Sequence, residues 1–235
     1  MTRKKRVSIL ISGRGSNMAA LITAAQETDF PAEIVGVISD KADAPGLAYA
    51  DAAGIVTKVL PRADFDSKEA HDQAIDATLH VFGTEIVCLA GYMRLLTDAL
   101  VAEWRGRMIN IHPALLPLFK GLNTHQRALD AGVRIHGCTV HFVTPQMDDG
   151  PIIAQAAVPV LLDDDADTLG ARVLKAEHRL FPRALRLVAE GKARMEGGRT
   201  AFDPSTPIVT ASASLDSLVA SSTEVDLQAL ARFTP

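Results

Sequence analysis

Val7-Ser8-Ile9-Leu10-Ile11, followed at once by Ser12-Gly13-Arg14-Gly15-Ser16-Asn17, is a short apolar run ending in a glycine-rich turn. Such a run reads as a buried strand, and Ser16–Glu27 beyond it as a helix, with Met18, Leu21, Ile22 and Ala25 near helical spacing. A chain that turns sharply from strand to helix needs residues free of Cβ clashes, which the glycines provide. The same turn aims the free N–H groups of a helix N-terminus at one point, where an anion is favoured. Ser16 and Asn17 can add side-chain donors. A dinucleotide fingerprint would require a third glycine at position 18, where Met18 stands, and a Walker loop would require Gly-Lys-Ser/Thr. The loop therefore suits a monophosphate. Glycine pairs also occur in purely structural strand–helix turns, so the loop alone leaves both readings open.

Outward from this unit, strand-like and helix-like segments alternate. Ile34–Ser39, Val56–Leu60, Ile86–Ala90 and Met108–Ile111 are predicted strands. Between them lie predicted helices over Pro45–Ala53, which Gly54 ends, over Ser67–Phe82, opened by a serine cap, and over Thr97–Trp104. This alternation predicts an α/β fold with a doubly wound, mainly parallel sheet. The second half differs. A helix over His125–Ala131 is followed by strands over Cys138–Val143 and Ile152–Val160, a mixed or antiparallel extension of the sheet. Asp165–Glu190 is the longest helical pattern, with Asp163-Asp164-Asp165 at its positive end and Gly191 closing it. Lys192–Phe202 reads as a hairpin around Gly197-Gly198.

The 235 residues, 48% of them hydrophobic, suffice for one sizeable core plus an appendage. We therefore expect a domain over residues 1–203, with a phosphate-binding half to about residue 105 and a catalytic half beyond it. Residues 204–235 form a Ser/Thr/Ala-rich tail of mobile composition, in which Leu227, Leu230 and Phe233 can make one apolar patch. A net charge of −4 gives no electrostatic ground for nucleic-acid or polybasic membrane binding. No apolar stretch is long enough to span a bilayer, and the basic start Arg3-Lys4-Lys5-Arg6 lacks the apolar region of a signal peptide. Cys88 and Cys138 lack metal-ligand spacing and read as buried, reduced thiols of a cytoplasmic protein.

Asn110-Ile111-His112-Pro113 ends a predicted central strand. Side chains alternate along a strand, so Asn110 and His112 share a direction. Polar groups at the carboxyl end of a parallel strand lie where open α/β sheets bind ligands. Thr139 and His141 likewise share a face of the next strand, and Asp148-Asp149-Gly150 lies just beyond. A carboxylate beside a histidine stabilises the imidazolium. Each piece also has an ordinary structural reading, as a local hydrogen-bonding group or a turn.

Together, Ser12–Asn17, Asn110–Pro117 and His141–Pro151 resemble, in order and spacing, the folate-dependent glycinamide ribonucleotide formyltransferases. The resemblance covers roughly residues 6–202. It extends through Ser39–Ala44, Leu89–Arg94, Ala176-Glu177-His178 and Phe181-Pro182. It implies a formyltransferase-like variant of the Rossmann fold. It also implies transfer of a formyl group from 10-formyltetrahydrofolate, as co-substrate and with no metal, to the amine of 5'-phosphoribosylglycinamide. On this resemblance Asn110, His112 and Asp148 are the catalytic residues. Gly13, Gly15, Ser16 and Asn17 hold the phosphate, and Glu177 meets the ribose. Met93, Arg94 and Leu95 embrace the pteridine of the folate, with the loop carrying Thr144 and Met147. Lys68 lies near the glutamate tail of the folate, and Thr139 and His141 support the site. The implied step is direct attack of the amine on the formyl carbon through a tetrahedral intermediate. The partners expected are small-molecule substrates, without nucleic acid or membrane, and a homodimer is left open.

Residues 118–125 vary between branches of the family, and Asp149 stands where some members have glycine. A formyltetrahydrofolate hydrolase would share the trio but usually carries an additional N-terminal domain, for which Val7 as the first strand residue leaves no room. A methionyl-tRNA formyltransferase would lack this first loop and add a basic C-terminal domain. A non-catalytic phosphosugar sensor would have no need of all three catalytic side chains.

Overall fold

In a computed structural model, described for residues 3–204 and Thr206, the chain follows the predicted alternation. The parallel strands are β1 (Lys5–Ile11), β2 (Ala32–Ser39), β3 (Thr57–Val59), β4 (Ile86–Leu89) and β5 (Met108–His112). The helices between them are α1 (Ser16–Ala25), α2 (Gly46–Ala52), α3 (Lys68–Val81) and α4 (Asp98–Glu103). Then come α5 (Thr124–Asp130), β6 (Ile135–Phe142), β7 (Ile152–Pro159), α6 (Ala166–Ala189) and the hairpin β8 (Ala193–Glu196) with β9 (Arg199–Phe202). The large sheet runs β3-β2-β1-β4-β5-β6-β7, with β6 antiparallel to both its neighbours. The expected parallel sheet with an antiparallel extension is thus what forms. The readings made for Leu227, Leu230 and Phe233 lie outside the described residues.

Period-two alternation builds both faces of the sheet. In β1, Val7, Ile9 and Ile11 enter a core with α1 and α6, while Leu10 enters a second core with Ile75, Leu79 and Trp104 of the α3–α4 side. Burying an aliphatic side chain of this kind contributes about 1.5–3 kcal/mol. In β5, Ile109 and Ile111 take the first side and Met108 the second. Asn110 and His112 share the parity of Met108, and Thr139 and His141 have the matching parity on β6, where Cys138, Val140 and Phe142 face α6. Four polar residues thus meet on one face of an otherwise apolar strand pair.

Caps define the helices. Ser67 accepts from Ala70 N at α3, and Thr97 accepts from Leu100 N at α4. At α6, Asp165 and Thr168 form a reciprocal capping box. The acidic run therefore does more than complement the dipole, since Asp164 also holds Arg172 in a two-pronged ion pair. That pairing keeps its carboxyl below the usual range. β6 starts at Ile135, earlier than the apolar pattern suggests, because Ile135, His136 and Gly137 already pair with Pro159, Val158 and Ala157. A short 3-10 turn over Arg62–Asp64, which the pattern does not reveal, follows Pro61.

Candidate active site

β1 and β4 lie side by side at the sheet's centre, and the chain winds outward from them in opposite directions. This is the switch point at which the carboxyl ends of parallel strands open a crevice. Ser12–Ser16 follows β1, Ala90–Leu96 follows β4, and His112 closes β5, all along the same edge. At a strand spacing of about 4.8 Å, β5 lies about 10 Å from β1.

The first loop is shaped by Gly15, whose φ of 72° is open mainly to glycine. A Cβ there would also meet Met18 and the backbone of Gly46 at 3.0 Å or less. Gly15 stands at the N-cap position of α1, where no side chain caps the helix and no acid occupies the first turn. The first-turn N–H groups therefore have no intrahelical acceptor and suit an anion. Ser12 is buried, and its hydroxyl accepts from Met93 N at 2.9 Å, tying the loop after β1 to that after β4.

Asn17 differs from the simplest expectation. Its side-chain nitrogen donates to Glu177 Oε2 at 2.7 Å, and its Oδ1 is buried without a partner in the described structure. The donors that the loop leaves for an anion are thus its backbone N–H groups, while Asn17 ties α1 to Glu177 in the middle of α6. Burial pushes the Glu177 carboxyl up, against the lowering effect of Asn17.

At the other end of the crevice, His112 Nδ1 lies 3.3 Å from Asp148 Oδ2, and its Nε2 lies 3.0 Å from the carbonyl of Phe119. Both ring nitrogens face oxygen acceptors, so a doubly protonated ring can donate to both. Asp148 Oδ2 also accepts from Gly121 N at 2.9 Å, and Asp148 itself has a φ of 51°. A non-glycine residue in that region marks a locally constrained backbone, of the kind that clusters at functional sites. His141 Nε2 lies 3.7 Å from Asp148 Oδ1 and 3.2 Å from Asn110 Nδ2. Asn110, His112 and Asp148 thus converge, with His141 filling the angle between the amide and the acid. Thr139 donates to Ala114 O and accepts from Leu116 N, pinning the chain just after His112, and Gln155 braces both Thr139 and Leu116.

Three loops surround these groups. Met93 and Leu95 are exposed on one, Leu118 and Leu122 on another, and Met147 on the third, near Gly121. Exposed apolar side chains gathered around polar ones suit a flat, mainly apolar ligand. Lys68 donates to Leu96 O at 3.1 Å, which places its ammonium beside the loop after β4. Arg94 donates to the buried Asp40 at 2.6 Å. Thr144 makes a local bond to Gln146 O. Lys120 pairs with Asp149 across the other two loops. Sequence reasoning missed the carbonyl of Phe119, the N–H of Gly121, Asp40, Gln155 and Lys120 as participants. The first two are backbone groups and carry no signal in residue type. Asp40 lies in Ser39–Ala44, a stretch that shares in the family resemblance, and only its link to Arg94 is new.

Residues 5–185 match the model of the formyl transferase family. The chain belongs to the formyl transferase family. Over 198 residues it is 52% identical to the trifunctional purine biosynthetic protein adenosine-3 of Bos taurus, covering 84% of this chain but 20% of that protein. It thus spans about a fifth of the length of such trifunctional relatives. It is 43% identical to the phosphoribosylglycinamide formyltransferase of Escherichia coli, with 80% of this chain and 89% of that protein covered. The crystal structure of phosphoribosylglycinamide formyltransferase from Brucella melitensis is 65% identical with a TM-score of 0.77, covering 80% of this chain and 96% of that one. A formyltetrahydrofolate deformylase from Pseudomonas syringae shares the fold at a TM-score of 0.80 but only 27% identity. As a formyl transferase, the chain places its polar strand pair and its glycine turn at one crevice. Among the described residues no helix is long and apolar enough to cross a membrane, and no cluster of three or more metal-type ligands occurs.

Proposed function

We propose that this formyl transferase moves the formyl group of 10-formyltetrahydrofolate to the amine of 5'-phosphoribosylglycinamide, in the assembly of purines. The observation that carries the reading is the meeting of Asn110, His112 and Asp148 along the sheet edge that also bears the uncapped N-terminus of α1. The phosphate sits on the N–H groups of the Gly13–Asn17 turn, and Glu177, oriented by Asn17, meets the ribose. The folate lies among Met93, Leu95 and Met147, beside Arg94 and Thr144, with Lys68 toward its acidic tail. The phosphate turn lies in the half up to about residue 105 and the catalytic trio in the half from there to about residue 203, while the folate contacts Lys68 and Met93–Leu95 come from the first half and Glu177 from the second.

In the reaction the amine nitrogen bonds to the formyl carbon, the bond from that carbon to the folate nitrogen breaks, and one amine proton passes to that nitrogen. Asn110 donates an amide N–H to the developing oxyanion. His112 donates as well, and for this the oxyanion replaces the Phe119 carbonyl that Nε2 meets in the structure. Each donor of this kind typically lowers a barrier by about 3–4 kcal/mol. Asp148 holds the imidazolium and relays the amine proton through water. The phosphate contact positions the amine from a distance. All of these residues come from one chain, so the site serves a monomer or a homodimer alike, in the cytoplasm.

Incubation with 10-formyltetrahydrofolate, with and without 5'-phosphoribosylglycinamide, tests this. Formyl loss that requires the amine supports the transferase. Equal loss in its absence would make the chain a hydrolase, and no loss in either case would reduce it to a phosphosugar sensor.

A further inference from the structure

We infer that His141 is a positioning residue whose neutral Nδ1–H tautomer fixes the direction of the Asn110 amide, so that an N–H of that amide, and not its oxygen, faces the reacting carbonyl. The inference rests on the proposed role of Asn110 as an oxyanion donor and adds what holds it in place.

The tautomer is set by one contact. His141 Nδ1 lies 2.9 Å from the carbonyl of Phe142, and a carbonyl can only accept, so Nδ1 carries the proton. The residue is 2% exposed. Burial pushes its pKa down and outweighs Phe142 and Asp148, which push it up, while His112 lowers it further. In the neutral ring Nε2 is then a lone-pair acceptor. It lies 3.2 Å from Asn110 Nδ2, its partner directly across the β5–β6 ladder. An amide turned the other way would set its oxygen against that lone pair. Among the described residues the second N–H of Asn110 has no partner, so it is the donor left for a substrate oxygen.

The backbone is built around this ring. The β6–β7 register shifts between Val140 and His141, an irregularity of the kind that re-aims a side chain. Gly150 packs so closely that a Cβ there would stand 1.7 Å from the Phe142 carbonyl oxygen and 3.3 Å from His141 Nδ1. Any other residue would displace the acceptor that sets the tautomer. The groups facing His141 are Asn110 and His112 from β5 and Asp148 from the following loop. Protonation would turn Nε2 into a donor. It would then release Asn110 and turn toward Asp148 Oδ1, 3.7 Å away.

Long-range proton–nitrogen NMR of the full chain reads the tautomer directly, without substrate. The inference predicts a proton on Nδ1 of His141 and none on Nε2 at neutral pH. Kinetics of His141→Leu and His141→Gln complete the test, with folding checked by thermal melting. His141→Leu removes the acceptor and should lower kcat about ten-fold or more with KM nearly unchanged, the scale of one aligned hydrogen bond. His141→Gln offers an amide oxygen in its place and should restore most of kcat, while losing that part of the acid limb of the kcat profile that His141 protonation causes. An Nε2–H tautomer, a folded His141→Leu with full kcat, or equal slowness of the two folded variants would each overturn the inference. If the tautomer is as predicted but the chain moves no formyl group, the pairing stands and the proposed function falls.

Discussion

The two ends of the crevice are built from different material. The anion-facing end, Ser12–Asn17, is six consecutive residues whose working groups are chiefly backbone N–H, presented by Gly15 and an uncapped α1. The opposite end is made of side chains from β5, β6 and the loop at Asp148, locked by the carbonyl of Phe119 and the N–H of Gly121. On the proposed function the backbone cradle grips a charge that does not change during the reaction. Side chains held by one another can be aimed at charge that appears only in the transition state. The first end should therefore govern binding and the second turnover.

The strongest way to break this division is to remove a donor at the catalytic end. Asn110→Ala and His112→Ala should each lower kcat by about 10²–10³-fold, with KM for the phosphoribosyl substrate changed little. Steady-state kinetics would refute the division if the loss lay in KM. At the other end, Asn17→Ala removes the donor to a buried carboxylate, a hydrogen bond of roughly 1.5–3 kcal/mol. It should raise KM about ten-fold or more and lower thermal stability, while kcat stays within a few-fold. An unchanged KM would remove Asn17 and Glu177 from substrate binding.

A smaller effect sharpens the comparison. The Lys120–Asp149 pair is largely exposed, so its loss should cost at most about 1 kcal/mol of stability. It also clips the loop that supplies Phe119 and Gly121 to the loop that supplies Asp148. Lys120→Ala should therefore lower kcat a few-fold with an unchanged melting temperature, and a drop in melting temperature without a kinetic effect would make the pair merely structural.

A last effect concerns pH. Burial lowers the pKa of His125, His136, His141 and His178, with His136 pushed down to about 4. The unfolded chain then takes up protons below about pH 6.5 that the folded chain refuses. Urea unfolding should show stability falling steadily from pH 7 to pH 5. A rise over that range would contradict the burial of neutral imidazoles.

The fold was legible because its signals are local. Apolar runs, glycine turns and caps such as Ser67 each act within a few residues. Asn110 and His112 were legible too, because alternation puts them on one face. What pairs with them was harder to read. Nothing in residue type says that the Phe119 carbonyl meets His112, or that Asn17 gives its side-chain donor to Glu177, 160 positions away. Such links depend on how distant segments pack. The start of β6 escaped for a related reason, since His136 and Gly137 are drawn into the sheet by Val158 and Ala157 and not by their own propensity.

The most direct test is a crystal structure of the chain with 5'-phosphoribosylglycinamide bound. The phosphate should lie on the N–H groups of Gly15, Ser16 and Asn17, with the ribose at Glu177 and the amine turned toward Asn110 and His112. A phosphate seated elsewhere, for example on Lys120 and Arg127, or an amine turned away from β5, would contradict the account.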